Sequence, residues 1–432
     1  MIGAPVSDAL CLGIDIGTSG VRAVATDAAH RTVAYASTAM PAPERDGDRA
    51  TQDASIWWDA VCRTLDELKT RCDFARVSAI SADGTSGTIV AVNAAGRPLA
   101  PASMYNDASA KAAAETIAKV APPDTAAHGV TSPLGRALAF KELPGLAHIL
   151  HQADWVLAQF SGCFAISDEN NALKTGYDPR TRVWPEWIDA VGLDRRLLPH
   201  VTPVGSTIGP VNSAMQARFG FSPTTQIVSG TTDGCAAFLA TGAAGIGDGV
   251  TSLGTTLVVK FLSDKPIFAK GYGLYSHRIG DLWLAGGASN SGGAALLNFF
   301  TAAQMAELEP RMRIETPTGL GYYPLQGVGE RFPIYDPAMP SRVAPRPADD
   351  AQFLQALLEG VAEVEALAYH RMAELGGPPL TQVFTVGGGA KNRSWALMRA
   401  RILGVPLREP ASDEAAVGAA RLAWRGVKNA RA

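Results

Sequence analysis

Asp15-Ile16-Gly17-Thr18-Ser19-Gly20 is the stretch on which the reading of this 432-residue chain turns, and it has an echo in Ser252-Leu253-Gly254-Thr255-Thr256. Aligned on their glycines without a gap, residues 15–27 (DIGTSGVRAVATD) and 252–264 (SLGTTLVVKFLSD) share a Gly, a Thr, a second hydroxyl residue and a closing Asp. Each copy has an apolar run before it and a β-rich run after it, so each turn should join two antiparallel strands. A Walker loop or a dinucleotide fingerprint must instead open a helix, and the chain contains neither GxxxxGK[ST] nor GxGxxG. Glycine lets a backbone approach an anion, the hydroxyls donate, and successive turn N–H groups form an anion-binding concavity. One such turn could be an ordinary Gly-Thr turn; two with the same spacing point to phosphate held by paired hairpins.

The length is too great for one ordinary domain, and a duplicated hairpin divides the chain into two large α/β lobes, here 1–243 and 244–432. The composition is globular, with 47% hydrophobic and 18% charged residues and a formal net charge of −3. No basic excess favours nucleic acid or an anionic membrane. Cys11, Cys62, Cys72, Cys163 and Cys235 are odd in number, scattered and without a CxxC pair, as in a reduced cytoplasmic protein with free thiols. The N-terminal stretch has no basic leader region and its apolar run is interrupted by Asp15, so it reads as neither signal peptide nor membrane span; no other run reaches the ~18 apolar residues a span needs.

Outward from the first hairpin, Thr32–Ala39 continues as a third strand, and Ile56, Trp57, Ala60, Val61, Thr64, Leu65 and Leu68 mark one helical stripe capped by Asp53 or Ser55. A buried strand at Val77–Ser81 runs into Asp83-Gly84-Thr85-Ser86-Gly87, whose small polar residues suit a substrate pocket or a plain hairpin turn equally. Residues 108–161 read as mainly helical, with Trp155 facing the core. A strand at Gln226–Ser229 leads into Gly230-Thr231-Thr232-Asp233-Gly234, where Asp233 is either a helix cap or a group held near an anion or a reacting hydroxyl. The Gly319–Pro340 loop is longer than an ordinary connection. Residues 351–375 form the clearest helix, closed by Gly376-Gly377-Pro378. Gly387-Gly388-Gly389-Ala390-Lys391-Asn392 then follows a buried strand and lets a flat ligand or a phosphate lie against the backbone.

In this order, DIGTSGVR, GTTDG, SLGTT, GERFPIYDP and GGGAKN resemble the motifs of the FGGY carbohydrate kinases, the family of glycerol, gluconate and ketopentose kinases within the sugar kinase/Hsp70/actin superfamily. The resemblance runs from about Leu12 to Trp424 and includes the pieces HQADWVLAQFSG and DEAAVGAARLAW. It implies two ribonuclease-H-like (actin-like ATPase) domains with an interdomain cleft, ATP and Mg2+ as cofactors, and a small sugar as substrate. Carried over by motif, Asp15 and Asp233 would hold magnesium. Gly17, Thr18, Ser19 and Arg22 would face the terminal phosphates, with Gly254, Thr255 and Thr256 facing them from the other lobe. Gly388, Gly389 and Asn392 would line the adenosine site, and Asp233 would be the catalytic base.

Xylulokinases commonly carry GQMHG where this chain has residues 83–87, and a Trp-x-Asp-x-Arg pattern where it has Tyr105-Asn106-Asp107-Ala108-Ser109. The DGTSG motif and the compact length look more like the small ribulokinase-like branch known from cyanobacteria and plants. Asp15, Ser86, Asp107 and Asp233 are then the candidates to hydrogen-bond a ketopentose, D-ribulose first, with xylulose or another ketose or polyol as the alternative. A non-catalytic or chaperone-type ATPase of the same superfamily is the reading from another class. A homodimer is compatible with the sequence.

Overall fold

The computed structural model describes residues 8–429. Residues 1–7, at the head of the stretch that reads as neither leader nor span, and residues 430–432 lie outside them. The chain forms two compact units, one running through Ala240 and resuming at Glu414, the other Thr241–Asp413.

The first unit is built on a sheet of seven strands among the described residues. Its strands are β1 (Leu10–Ile16), β2 (Gly20–Thr26), β3 (Thr32–Ala39), β4 (Val77–Gly84), β5 (Thr207–Pro210), β6 (Gln226–Val228) and β7 (Thr231–Thr232). The order is β5-β6-β4-β1-β2-β3, with β7 also on β4. β1 is buried along its whole length, as its apolar run requires of a strand covered on both faces. β1–β2 and β2–β3 are antiparallel, whereas β4 runs parallel to β1 and β6 parallel to β4. Helix α1 (Ala54–Leu68) starts where Asp53 accepts a hydrogen bond from the Ser55 backbone N–H, and it buries Trp57, Ala60, Val61, Thr64, Leu65 and Leu68.

Residues 108–161 are less helical than their composition predicts. They hold the helix Lys111–Val120 and two more, α2 (Pro133–Ala137) and α3 (Gln152–Ser161), and His148–His151 is a strand paired with Ile89–Val92. Alanine content favours helix locally, but the apolar Ile149 and Leu150 complete a second sheet, and tertiary pairing overrides propensity. Trp155 is buried as expected. Two short helices, α4 (Glu169–Leu173) and α5 (Asp233–Ala240), complete the layer used below.

The second unit repeats the first at the level of its sheet. β8 (Asp248–Leu253), β9 (Leu257–Ser263), β10 (Tyr275–Ile279), β11 (Leu282–Ser289), β12 (Gln382–Val386) and β13 (Leu407–Arg408) lie in the order β10-β11-β9-β8-β12-β13. The series β11-β9-β8-β12-β13 matches β3-β2-β1-β4-β6 in order and in sense, two antiparallel steps followed by two parallel ones. Both glycine turns are hairpins, as their flanking sequence predicts. Helix α6 (Asp350–Glu374) and helix α7 (Arg393–Leu403) cover this sheet. Between them Arg399, 1% exposed, donates from Nε and Nη2 to the two oxygens of Glu365 at 2.6 and 2.7 Å, and from Nη1 to Thr385 on β12. Thr251 on β8 donates to the same carboxylate.

The last helix, α8 (Ala415–Asn429), packs with the first unit. The cause is visible at two glycines. A Cβ on Gly13 of β1 would sit 1.9 Å from the Ala416 carbonyl oxygen, and one on Gly418 would sit 1.8 Å from the Ala236 carbonyl oxygen of α5. The bare backbones let α8 lie directly on β1 and α5. No helix of the described residues is long and apolar enough to cross a membrane.

Candidate active site

In the first unit three carboxylates gather where parallel strands end. β4 extends to Gly84, three residues beyond the Val77–Ser81 strand predicted, and this puts Asp83 in register with Asp15 on β1 and with Thr231 on β7. Residues in register on neighbouring strands project to the same face. Asp233 then opens α5 two residues after Thr231, at a helix N-terminus that favours negative charge. The carboxyl ends of parallel strands are where open α/β sheets bind ligands.

The carboxylates are not equivalent. Asp15 accepts a hydrogen bond at 2.9 Å from Nη1 of Arg22, its partner across the hairpin, and that bond holds the guanidinium pKa above its ordinary value. Asp233 accepts from the Gly234 N–H at 2.6 Å. Asp83 is fully buried and neither of its oxygens accepts a hydrogen bond. Burial first, then the charges of Asp15 and Asp233, push its pKa well above the ordinary carboxylate value. It is not among the site residues that the motifs mark. Its signal was the position of an acid at a strand end, obscured because residues 83–87 read as one turn.

At the hairpin turn the Gly17 N–H donates to the Gly20 carbonyl at 3.0 Å, and the Met40 N–H holds the Ser19 carbonyl at 2.9 Å. Thr18 is half-buried and Ser19 exposed. Beyond β4, Thr85 is fixed by Gln152 Oε1, which accepts from its N–H at 2.9 Å and its hydroxyl at 2.8 Å. Gly87 has φ +97°, a conformation that favours glycine. Ser86 is half-buried between them, its carbonyl 3.5 Å from the Lys174 ammonium. Asp107 is committed within its own loop. Its oxygens accept from the Ser103 hydroxyl at 2.8 Å and from the Ser109 N–H and hydroxyl at 2.9 and 2.6 Å. Burial would raise its pKa, but the Ser109 and Ser103 bonds and the Arg136 charge bring it below the ordinary value.

In the second unit a cavity of about 630 Å³ brings Gly254 and Thr255 of the hairpin together with Gly388, Gly389 and Asn392. Its walls are Leu296, Met305, Leu358 and Trp395, an apolar slot with few polar groups, as flat ligands require. Thr256 lies beside this set in the turn, its carbonyl accepting from the Gly254 N–H at 3.3 Å. Gly387 has φ +88°, and a Cβ on Gly389 would meet Trp395 at 2.7 Å and Leu253 at 2.8 Å, whereas one on Gly388 meets nothing. Of the three glycines, Gly388 is the one left open on its side-chain side.

Two family descriptions match this chain: the N-terminal domain of the FGGY family of carbohydrate kinases over residues 10–131, and its C-terminal domain over residues 249–427. The chain belongs to the FGGY family of carbohydrate kinases.

As an FGGY kinase it is an ATP-dependent phosphotransferase acting on a sugar hydroxyl, which closes the chaperone-type alternative. An autoinducer-2 kinase of Yersinia enterocolitica is 26% identical over 472 residues, covering 96% of this chain and 86% of the relative. Among solved structures, a "xyloylose kinase" from Brucella ovis superposes with a TM-score of 0.87 at 23% identity, covering 97% of this chain and 91% of that one. A xylulose kinase from Rhodospirillum rubrum follows at 0.84 and 22%, covering 97% and 90%. These structures carry the fold, two actin-like ATPase domains.

Asn392 of this FGGY kinase is already engaged. Its Oδ1 accepts from the Trp395 N–H at 2.7 Å, capping α7, and its Nδ2 donates to Glu309 at 3.3 Å. Glu309 is a cavity residue that motif reading missed, because it lies in an unremarkable helical stretch far from the glycine loop in sequence.

Proposed function

We propose that this FGGY kinase transfers the terminal phosphate of ATP to a terminal hydroxyl of a small ketose, D-ribulose first. The observation that carries the reading is the gathering of Asp15, Asp83 and Asp233 at neighbouring strand ends, with Asp233 opening α5. Asp233 is the base that accepts the proton of the attacking hydroxyl. Phosphoryl transfer asks mainly for alignment and charge neutralisation, and an oriented nucleophile completes it. Arg22 and the Gly17–Ser19 turn of the first unit bind phosphate, as do Gly254, Thr255 and Thr256 of the second. The apolar slot beside Gly388 and Gly389 takes the adenosine.

Among the described residues no group of three or more His, Cys, Asp or Glu side chains is arranged to hold a metal ion. Mg2+ needs no such cage, since it uses one or two carboxylates, waters and substrate phosphates. Asp15 and Asp233 fit that donor set. The ion would neutralise charge on the transferred phosphoryl group.

D-Ribulose is favoured by the DGTSG turn, whose Ser86 stands where xylulokinases commonly carry a bulkier histidine, and the five cysteines, none in a disulfide, fit a reducing cytoplasm. A coupled ADP-release assay over D-ribulose, D-xylulose, glycerol, D-gluconate and autoinducer-2 tests the reading. D-Ribulose should give the highest kcat/KM, and turnover confined to a non-ketose would overturn it.

A further inference from the structure

Arg136 on α2 is a charged side chain placed where charge is hard to keep. It is 2% exposed, and burial lowers its pKa to about 10. No carboxylate touches it. Its Nη1 donates to the Ser103 carbonyl at 2.9 Å, the Ser103 hydroxyl at 2.9 Å and the Met104 carbonyl at 2.8 Å, while Nη2 donates to the carbonyls of Gly87 and, at 3.2 Å, Thr131. One guanidinium thus joins three segments, beside the short strand pairing of Ser103 with Ile89 and the hydrogen bond from the Tyr105 N–H to the Thr88 hydroxyl. The three are the turn carrying Ser86, the loop carrying Asp107, and the segment leading into α2. The Ser103 hydroxyl completes a relay, receiving from Arg136 and donating to Asp107 at 2.8 Å.

The relay ends on two of the residues assigned to the acceptor sugar, Ser86 through the next carbonyl and Asp107 through one hydroxyl. Gly87 sits at φ +97°, which favours glycine, and a Cβ there would meet Arg136 Nη2 only at an ordinary contact distance of 3.6 Å. A planar fork with five donors can bind several carbonyls at once, which a lysine ammonium on a flexible stem does not reproduce. We propose that Arg136 is a positioning residue for sugar selection, fixing the Ser86 turn and the Asp107 loop relative to each other so that they fit one acceptor. The inference rests on the assignment of the acceptor to the first unit. It adds a residue that touches no substrate.

Arg136→Lys, Arg136→Met and Ser103→Ala test it in steady-state assays with D-ribulose, D-xylulose and ATP varied separately. The expected result is an acceptor KM raised about tenfold or more and a changed ribulose-to-xylulose ratio of kcat/KM, since displacements of about 1 Å carry effects of this size. The KM for ATP should stay within about twofold. Ser103→Ala should shift the same quantities less, and millimolar guanidinium ion should lower the acceptor KM of Arg136→Met. A purely structural role would instead reduce thermal stability and active fraction with acceptor KM and sugar ratio unchanged, and that outcome in Arg136→Lys and Ser103→Ala would overturn the proposal. If the wild-type enzyme turns over none of these sugars, the acceptor assignment itself fails. Wild-type turnover with unaltered selectivity in the variants fails this inference alone.

Discussion

Asp15 and Asp83 stand opposite each other on adjacent parallel strands, one paired with Arg22 and the other fully buried without a donor to either oxygen. Burial and the neighbouring Asp15 push the Asp83 pKa up, which favours its neutral form.

Asp83→Asn should therefore be mild. The amide keeps the size and the ability to donate toward Asp15, so thermal unfolding should show a change within about 1 kcal/mol and kcat should stay within about tenfold of wild type. Asp83→Ala removes the donor and opens a void, and should cost more in both measurements. An Asn variant as inactive as the Asp233 variant would show that Asp83 acts as an anion.

Asp233→Asn should lower kcat by about 10²–10⁴ with the best sugar, the usual size of a positioned base. ATP affinity, measured by calorimetry without added Mg2+, should change little, because the proposed adenosine slot lies in the second unit. Sugar-stimulated ADP release should vanish while any slow background hydrolysis persists.

The Arg399–Glu365 pair makes a prediction about stability alone. Arg399→Met leaves a carboxylate buried without its cation and should destabilise the protein by about 3–5 kcal/mol in denaturant unfolding. The double variant Glu365→Leu, Arg399→Met should recover a large part of that loss, because an apolar pair strands no charge.

Gly418→Ala should separate α8 from α5. The new methyl would lie 1.8 Å from the Ala236 carbonyl oxygen, which is backbone and cannot step aside. A loss of about 1–3 kcal/mol is expected from the overpacking. A fall in kcat should accompany it, since α5 begins at Asp233.

His30 supplies a pH dependence. Burial first, then Arg421 and Lys428, hold its pKa below the ordinary 6.5 against a smaller opposing pull from Asp27, and its Nδ1 is buried without a partner. Above 6.5 the ring is neutral in both folded and unfolded chains and contributes no difference. As pH falls through 6.5 the unfolded chain takes up the proton first, so stability is lost. His30→Asn, which suits φ +60°, should gain stability relative to wild type between pH 7.5 and about 5. A difference independent of pH in thermal unfolding would contradict this.

Both glycine hairpins, the third strand, the Trp57 helix and the long 350–374 helix follow from local pattern, because period-2 and period-3.6 burial and Gly or Asp punctuation are written into consecutive residues. The duplicated turn also announced two similar halves, and five strands of each sheet repeat in order and sense. Asp15, Gly254, Gly388 and Asp233 were legible as motif residues for the same reason. What pairs with what was not. Strand β4 runs on to Gly84 only because β1 and β7 flank it, and that extension makes Asp83 a member of the carboxylate group. The strand His148–His151 exists through its pairing with Ile89–Val92.

By itself, then, the sequence determined the repeat and the hairpins. Only the tertiary structure decided that α8 returns to the first unit over two bare glycines, that Asp83 is buried in register with Asp15, and that Arg136 ties the Ser86 turn to the Asp107 loop. Each of these depends on the burial of one group by residues far away in the chain, and local periodicity carries no information about which distant backbone will approach.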